Sequence, residues 1–183
     1  MNEVERKLVH IIAAVILIEI MFIFGRVDMI AFLFFGLIFG SLIVNLKLLG
    51  YKLPVLDIII DKFERKGVRF PGLGSAWFVV GALLAVTFLK DINQIATVIF
   101  ILGFGDGVAT IVGQKGKMKL PYNSNKTVEG TLAFFIVSLV AYKLIGIMIV
   151  PLALICAILE SMRIPIDDNV LIPLIGIIFF SLT

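Results

Sequence analysis

Charge is the first thing this chain lacks. Only 16% of its 183 residues are Asp, Glu, Lys or Arg, against roughly 25% in a typical soluble domain. With 61% hydrophobic residues and a mean hydropathy of +1.14, it cannot build a water-facing shell. A disordered chain and an ordinary cytosolic globule are excluded. Cysteine is almost absent. Cys156 stands alone, so an internal disulfide, a secreted disulfide scaffold and a multi-cysteine zinc site are excluded too. No small-residue cleavage site follows the first apolar run, which therefore does not read as a cleavable signal peptide. No nucleic-acid partner is expected, and oligomeric state is not legible.

What the chain has is long apolar runs. A bilayer core of ~30 Å needs about 20 apolar residues in a helix. The expected fold is all-α and polytopic, one transmembrane catalytic domain over residues 1–183. About seven spans are expected, some of them short: Leu8–Phe24, Ile30–Leu49, Gly74–Leu89, Ile92–Gly113, Gly130–Val150, Pro151–Glu160 and Val170–Leu182. The stretch from Gly130 to Glu160 is too long for one span and too short for two full ones. A tight hairpin of two short helices, broken near Gly146 or Pro151, is the reading that fits. In loop 50–73, Leu56, Ile59, Ile60 and Phe63 recur at helical spacing. They predict an amphipathic helix lying in the headgroup plane. Seven spans put thirteen of the sixteen Lys and Arg residues on one side and leave Arg26, Lys90 and Lys143 on the other. The positive-inside bias makes the N-terminus and loops 50–73, 114–129 and 161–169 cytoplasmic.

Ionisable groups inside apolar spans are costly and mark function by default. Asp106 lies seven residues before Gly113, about 10 Å along a helix. Gly103, Gly105 and Gly107 surround it and permit close approach of backbone or ligand. A carboxylate there is either neutral or beside a cation. A metal-binding role is the preferred reading, with a neutral, helix-gluing Asp as the alternative. Loop 114–129 has four lysines and no acid before Glu129, a composition that attracts phosphates. Thr127 can cap the helix that follows, whose free N–H groups favour anions. Glu129 then makes sense as a Mg²⁺ ligand, a partner of Lys126 or a proton acceptor. Glu160, Asp168 and Asn169 supply oxygen ligands for a hard cation, or Asp168 and Asn169 simply cap a helix. Arg6 and His10 share a helix face beside Lys7, and His10 could bond a phosphate or headgroup. Together, a lysine-rich loop and carboxylates at membrane depth suit phosphates with Mg²⁺ beside a lipid acceptor.

These residues fall in an order that resembles the CTP-dependent lipid alcohol kinases: dolichol (polyprenol) kinase, phytol kinase and the CTP-using diacylglycerol kinases. Those enzymes are related to the phosphatidate cytidylyltransferases. The resemblance starts at Arg6-Lys7-x-x-His10 and continues through Glu64-Arg65-Lys66-Gly67 and Pro71-Gly72. Its core is Gly105-Asp106-Gly107-x-Ala109-Thr110-x-x-Gly113. Leu120-Pro121, Lys126-Thr127-x-Glu129-Gly130-Thr131-x-Ala133, Glu160 and Asp168-Asn169-x-x-x-Pro173-Leu174 complete it. It implies CTP as phosphoryl donor, a divalent metal such as Mg²⁺ and a membrane-embedded alcohol acceptor. Carried onto this chain, it makes Asp106, Glu129 and Lys126 catalytic. It assigns Gly113, Lys119, Lys126, Thr127 and Asn169 to the nucleotide, and Asp106, Glu160 and Asp168 to the metal. Arg6, Lys7 and His10 form a further polar group.

The leading expectation is thus a CTP-dependent kinase of an isoprenoid alcohol, working at the cytoplasmic face. A cytidylyltransferase making a CDP-lipid from a lipid phosphate is the runner-up. A small non-enzymatic transporter is the third reading.

Overall fold

The computed structural model describes residues 3–51 and 72–183. The expected interfacial helix in loop 50–73 and the Glu64–Gly67 motif lie outside the described residues. Helix α1 runs Glu3–Leu48, α2 Leu73–Phe88 and α3 Ile92–Gly113. A small antiparallel hairpin, β1 Lys119–Leu120 with β2 Asn123–Thr127, follows. Then come α4 Val128–Ser138, α5 Ile149–Ser161 and α6 Asp168–Leu182. The architecture is almost entirely helical, as the apolar runs demand. The hairpin departs from the all-α expectation.

Glu3–Leu48 is two rods rather than one. Gly25 has φ 85° and ψ 178°, a left-handed conformation that glycine alone adopts cheaply. Contacts with α2 fix what happens there. Arg26 donates to the carbonyls of Val86 and Thr87, both at 2.7 Å, at the C-terminal end of α2. At its N-terminal end, a Cβ on Gly74 would lie 3.2 Å from Arg6 Nη1, and one on Gly72 3.8 Å from Val44 Cγ2. Arg6 and Val44 therefore sit at the same end, and the two rods double back at Gly25. The stretch 128–161 does the same. Lys126, just before α4, pairs with Glu160 near the end of α5. The chain must therefore reverse between them, in the short helical turns that include Gly146.

Among the described residues, three helical stretches are long and apolar enough to cross a bilayer: Glu3–Leu48, Ile92–Gly113 and Val128–Ser161. Leu73–Phe88 and Asp168–Leu182 are shorter apolar helices. The expectation of about seven separate spans is corrected accordingly. The physical reason is length. At 1.5 Å per residue, α2, α5 and α6 reach only about 20–24 Å, short of the hydrocarbon core. The three long stretches are consistent with a polytopic membrane protein.

The core is built where α1, α3 and α4 meet, around Ala14, Met21, Ile99, Leu102 and Phe134, all fully buried. Gly103 faces Ala14 so closely that a Cβ there would clash with it, and that Cβ would crowd the carbonyl of His10 at 3.2 Å. One turn on, a Cβ on Gly107 would lie 2.8 Å from the Ile11 side chain. Small residues let membrane helices approach this way. The glycines flanking Asp106 thus admit a neighbouring helix rather than a ligand. That approach is what brings the first turns of α1 to the acidic end of α3.

Candidate functional site

A cavity of about 720 Å³ opens at the end of the helices where Arg6, Gly113 and Asp168 meet. Arg26, Lys90 and Lys143 lie at the opposite end, beside the close of α2 or in the turns between α4 and α5. The polar chemistry is therefore gathered at one end of the bundle.

Asp106 is delivered by α3, just after a π-helical turn over Ile101–Gly105. Such turns are rare and cluster at functional sites. Its side chain is 1% exposed. Oδ2 pairs with Lys7, itself buried, while Oδ1 is buried with no hydrogen-bond partner. Lys7 is the cation that a carboxylate at this depth requires, and it comes from α1. The approach of α1 to Gly103 and Gly107 sets that register.

Lys126 comes from β2. The hairpin is tied to the end of α5: Asn123 Nδ2 donates to the Ser161 carbonyl at 2.9 Å, and Tyr122 Oη lies 2.8 Å from Ser161 Oγ. Arg163 donates to Ser124 Oγ at 3.2 Å. These bonds hold Lys126 against Glu160 and 3.3 Å from Asp168 Oδ2. Burial works against a charge on Lys126. The carboxylates of Glu160 and Asp168 outweigh it and hold the ammonium above the ordinary lysine range. Asp168 is free for this because Asp167 is the N-cap of α6, accepting from Asn169 N at 3.0 Å and Asn169 Nδ2 at 2.8 Å. Helix capping by Asp168 or Asn169 is thereby replaced. Asn169 is buried, and its Oδ1 has no partner.

Asp106, Glu160 and Asp168 each bring one carboxylate oxygen within 4.8 Å of the others. Three hard oxygen donors at that spacing could coordinate a divalent cation. Five carboxylates and four cationic side chains line the same cavity. A free anion there meets acids and a free cation meets lysines. A cation joined to phosphate satisfies both.

Most sequence-predicted residues converge on the cavity. Arg6, Lys7, Asp106, Gly113, Lys119, Lys126, Thr127, Glu160, Asp168 and Asn169 all line it. Thr127 caps α4 as expected, accepting from Gly130 N at 3.2 Å. Two predicted residues do not line it. Glu129 instead clamps the lysine loop, accepting from Lys117 N at 2.8 Å and Met118 N at 3.2 Å. Its carboxylate is thus engaged by backbone N–H groups, away from the residues that line the cavity. His10 is buried and stacks on Phe78, ring centroids 4.8 Å apart, which corrects the expected phosphate contact. Sequence reasoning missed the apolar part of the rim, Met162, Ile164 and Ile166. Their one signal was an isoleucine-rich turn beside two aspartates.

The chain is 33% identical over 178 residues to an uncharacterised protein of Methanocaldococcus jannaschii, covering 96% of this chain and 91% of the other. It belongs to that protein's family. It is also 27% identical over 200 residues to the chloroplastic phytol kinase 1 of Arabidopsis thaliana, covering 97% of this chain and 65% of that one. Over 130 residues it is 35% identical to the chloroplastic farnesol kinase of the same plant, covering 69% and 42%. The chain thus spans less than two thirds of the kinases' own length. These partial similarities relate it to a lipid-kinase superfamily. No family model matches the chain, and no solved structure is similar to it.

Proposed function

We propose that this protein is a membrane-embedded kinase that transfers the γ-phosphate of CTP to an isoprenoid alcohol at the cytoplasmic face. The observation that carries the reading is the set of three carboxylate oxygens within 4.8 Å, shared by one cavity with Lys7 and Lys126. Asp106, Glu160 and Asp168 would hold Mg²⁺, which supplies charge neutralisation to the phosphates. Lys126 and Lys119 orient the phosphate chain, with Thr127, Gly113 and Asn169 shaping the wall behind it. The proton of the acceptor hydroxyl passes to a carboxylate of the cavity as its oxygen attacks the γ-phosphorus and CDP leaves. The apolar rim at Met162, Ile164 and Ile166 gives the lipid tail a side of the cavity to enter by. The thirteen-to-three division of Lys and Arg expected from the sequence supports a cytoplasmic orientation. The kinship with proteins named phytol and farnesol kinase supports an isoprenoid acceptor.

The test is incubation of purified protein with γ-labelled CTP, Mg²⁺ and phytol, farnesol, geranylgeraniol or a polyprenol. Label in the lipid with release of CDP is expected, and CTP should outperform the other three nucleotides. Label leaving in pyrophosphate, with a CDP-lipid formed from a lipid phosphate, would replace the kinase by a cytidylyltransferase. Transport of a phosphorylated solute into liposomes without CTP turnover would overturn both.

A further inference from the structure

The carboxylates that suit a cation are already holding cations of the chain's own. Lys7 sits on Asp106 Oδ2, and Lys126 bridges Glu160 and Asp168. Each carboxylate of the cluster is thus engaged by an ammonium. The buried oxygens left without a partner, Asp106 Oδ1 and Asn169 Oδ1, belong to residues that line the same cavity. A divalent ion entering alone would be repelled by two lysines. One of these, Lys7, is buried at the cavity wall, where little solvent reaches its ammonium. An entering phosphate chain would be repelled by the acids in turn. When both enter together, the Lys126 ammonium can exchange its carboxylates for phosphate oxygens, and the number of ion pairs rises rather than falls.

We infer that Lys126 is the exchange partner of the cluster: it holds Glu160 and Asp168 until a divalent cation and a phosphate chain arrive together, and so makes the binding of each depend on the other. This rests on the proposed metal–phosphate reading and adds its order. Linkage makes the effect reciprocal, so the factor by which nucleotide strengthens metal binding equals the factor by which metal strengthens nucleotide binding. Lys126 dominates, because it neutralises two carboxylates and is 29% exposed, free to swing. Lys7 contributes a fixed charge.

Equilibrium dialysis of the detergent-solubilised full chain, at fixed free Mn²⁺, tests this with and without the β,γ-methylene analogue of CTP. Wild type should bind Mn²⁺ alone at least about ten-fold more weakly than with the analogue, within the range common for coupled sites. Lys126→Met should tighten Mn²⁺ binding in the absence of nucleotide and remove most of the enhancement. Lys126→Arg, which keeps the charge, should preserve it and controls for folding. Equal Mn²⁺ affinity with and without the analogue would overturn the inference while leaving the metal site standing. So would an unchanged Mn²⁺ affinity in folded Lys126→Met. No Mn²⁺ binding under either condition would sink the underlying metal–phosphate reading instead.

Discussion

Two lysines meet carboxylates in this cavity, and they do so in different ways. Lys7 and Asp106 form a one-to-one pair at membrane depth, with side chains 6% and 1% exposed. Lys126 lies nearer the mouth, 29% exposed, between Glu160 and Asp168. The first pair is fixed by helix packing, through Gly103 and Gly107 against α1. The second is fixed by a polar hairpin hung on the end of α5. A buried pair whose partner is removed leaves a charge in low dielectric, at a cost of about 3–5 kcal/mol. The outer group reaches water through Lys126 and Asp168, though Glu160 is only 2% exposed, so screening softens part of the loss. The same residue types therefore divide the work: the inner pair holds fold and site in register, and the outer group is built to let go.

The largest expected effect lies at the inner pair. Asp106→Asn should lower turnover on the order of 10²–10³-fold, as loss of a charge-stabilising group does. It should also destabilise by about 3–5 kcal/mol, because Lys7 is stranded. Lys7→Met should destabilise similarly. The double variant Lys7→Met/Asp106→Asn should recover most of the stability and none of the activity. Denaturant midpoints and the γ-label assay read the two quantities separately. Additive stability losses in the double variant would break the comparison.

At the outer group, Lys126→Met should cost about 1–3 kcal/mol, the price of leaving a buried acceptor less satisfied. Its main effect should be on nucleotide: a rise of about 10–100-fold in the apparent KM for CTP, equivalent to one or two charge-assisted hydrogen bonds. An unchanged KM would remove Lys126 from the phosphate site. A stability loss as large as that of Lys7→Met would mean that the two lysines do the same job after all.

The difference between the two groups also explains what could be read before the fold was known. Asp106, Glu160 and Asp168 stood out because acids in or beside apolar runs are expensive. Their convergence followed once 130–160 was read as a hairpin, and Lys126 contacting Glu160 bears that reversal out. The partner of Asp106 was not legible. Whether Lys7, Arg6 or another cation meets it depends on the register between α1 and α3, which is set by which glycine faces which side chain. The doubling back at Gly25 was legible only as a short turn, because a single left-handed residue in an apolar run leaves no compositional mark. The β-hairpin escaped notice because residues 119–127 are short and polar, with no apolar alternation to reveal a strand. Glu129 was misread for a related reason. A carboxylate beside lysines suggests a ligand, and nothing in the sequence says that backbone N–H groups will claim it.

That misreading supplies the smallest effect and a sharp discriminator. Glu129 accepts from Lys117 N and Met118 N, and so braces the loop that leads into the Lys126 strand. Glu129→Gln keeps one carbonyl oxygen able to accept, so the loss of stability should be small, a hydrogen bond to a charged group weakened to a neutral one. The effect should fall on the outer group alone: a rise of a few-fold in the KM for CTP, with turnover at saturating CTP within about three-fold of wild type, as an uncatalytic brace predicts. A general base would behave in the opposite way, with a collapse of turnover and little change in KM. Saturation kinetics of this one variant therefore decide between a brace and a base. They also show whether the outer lysine depends on the loop behind it as the inner lysine depends on the helices around it.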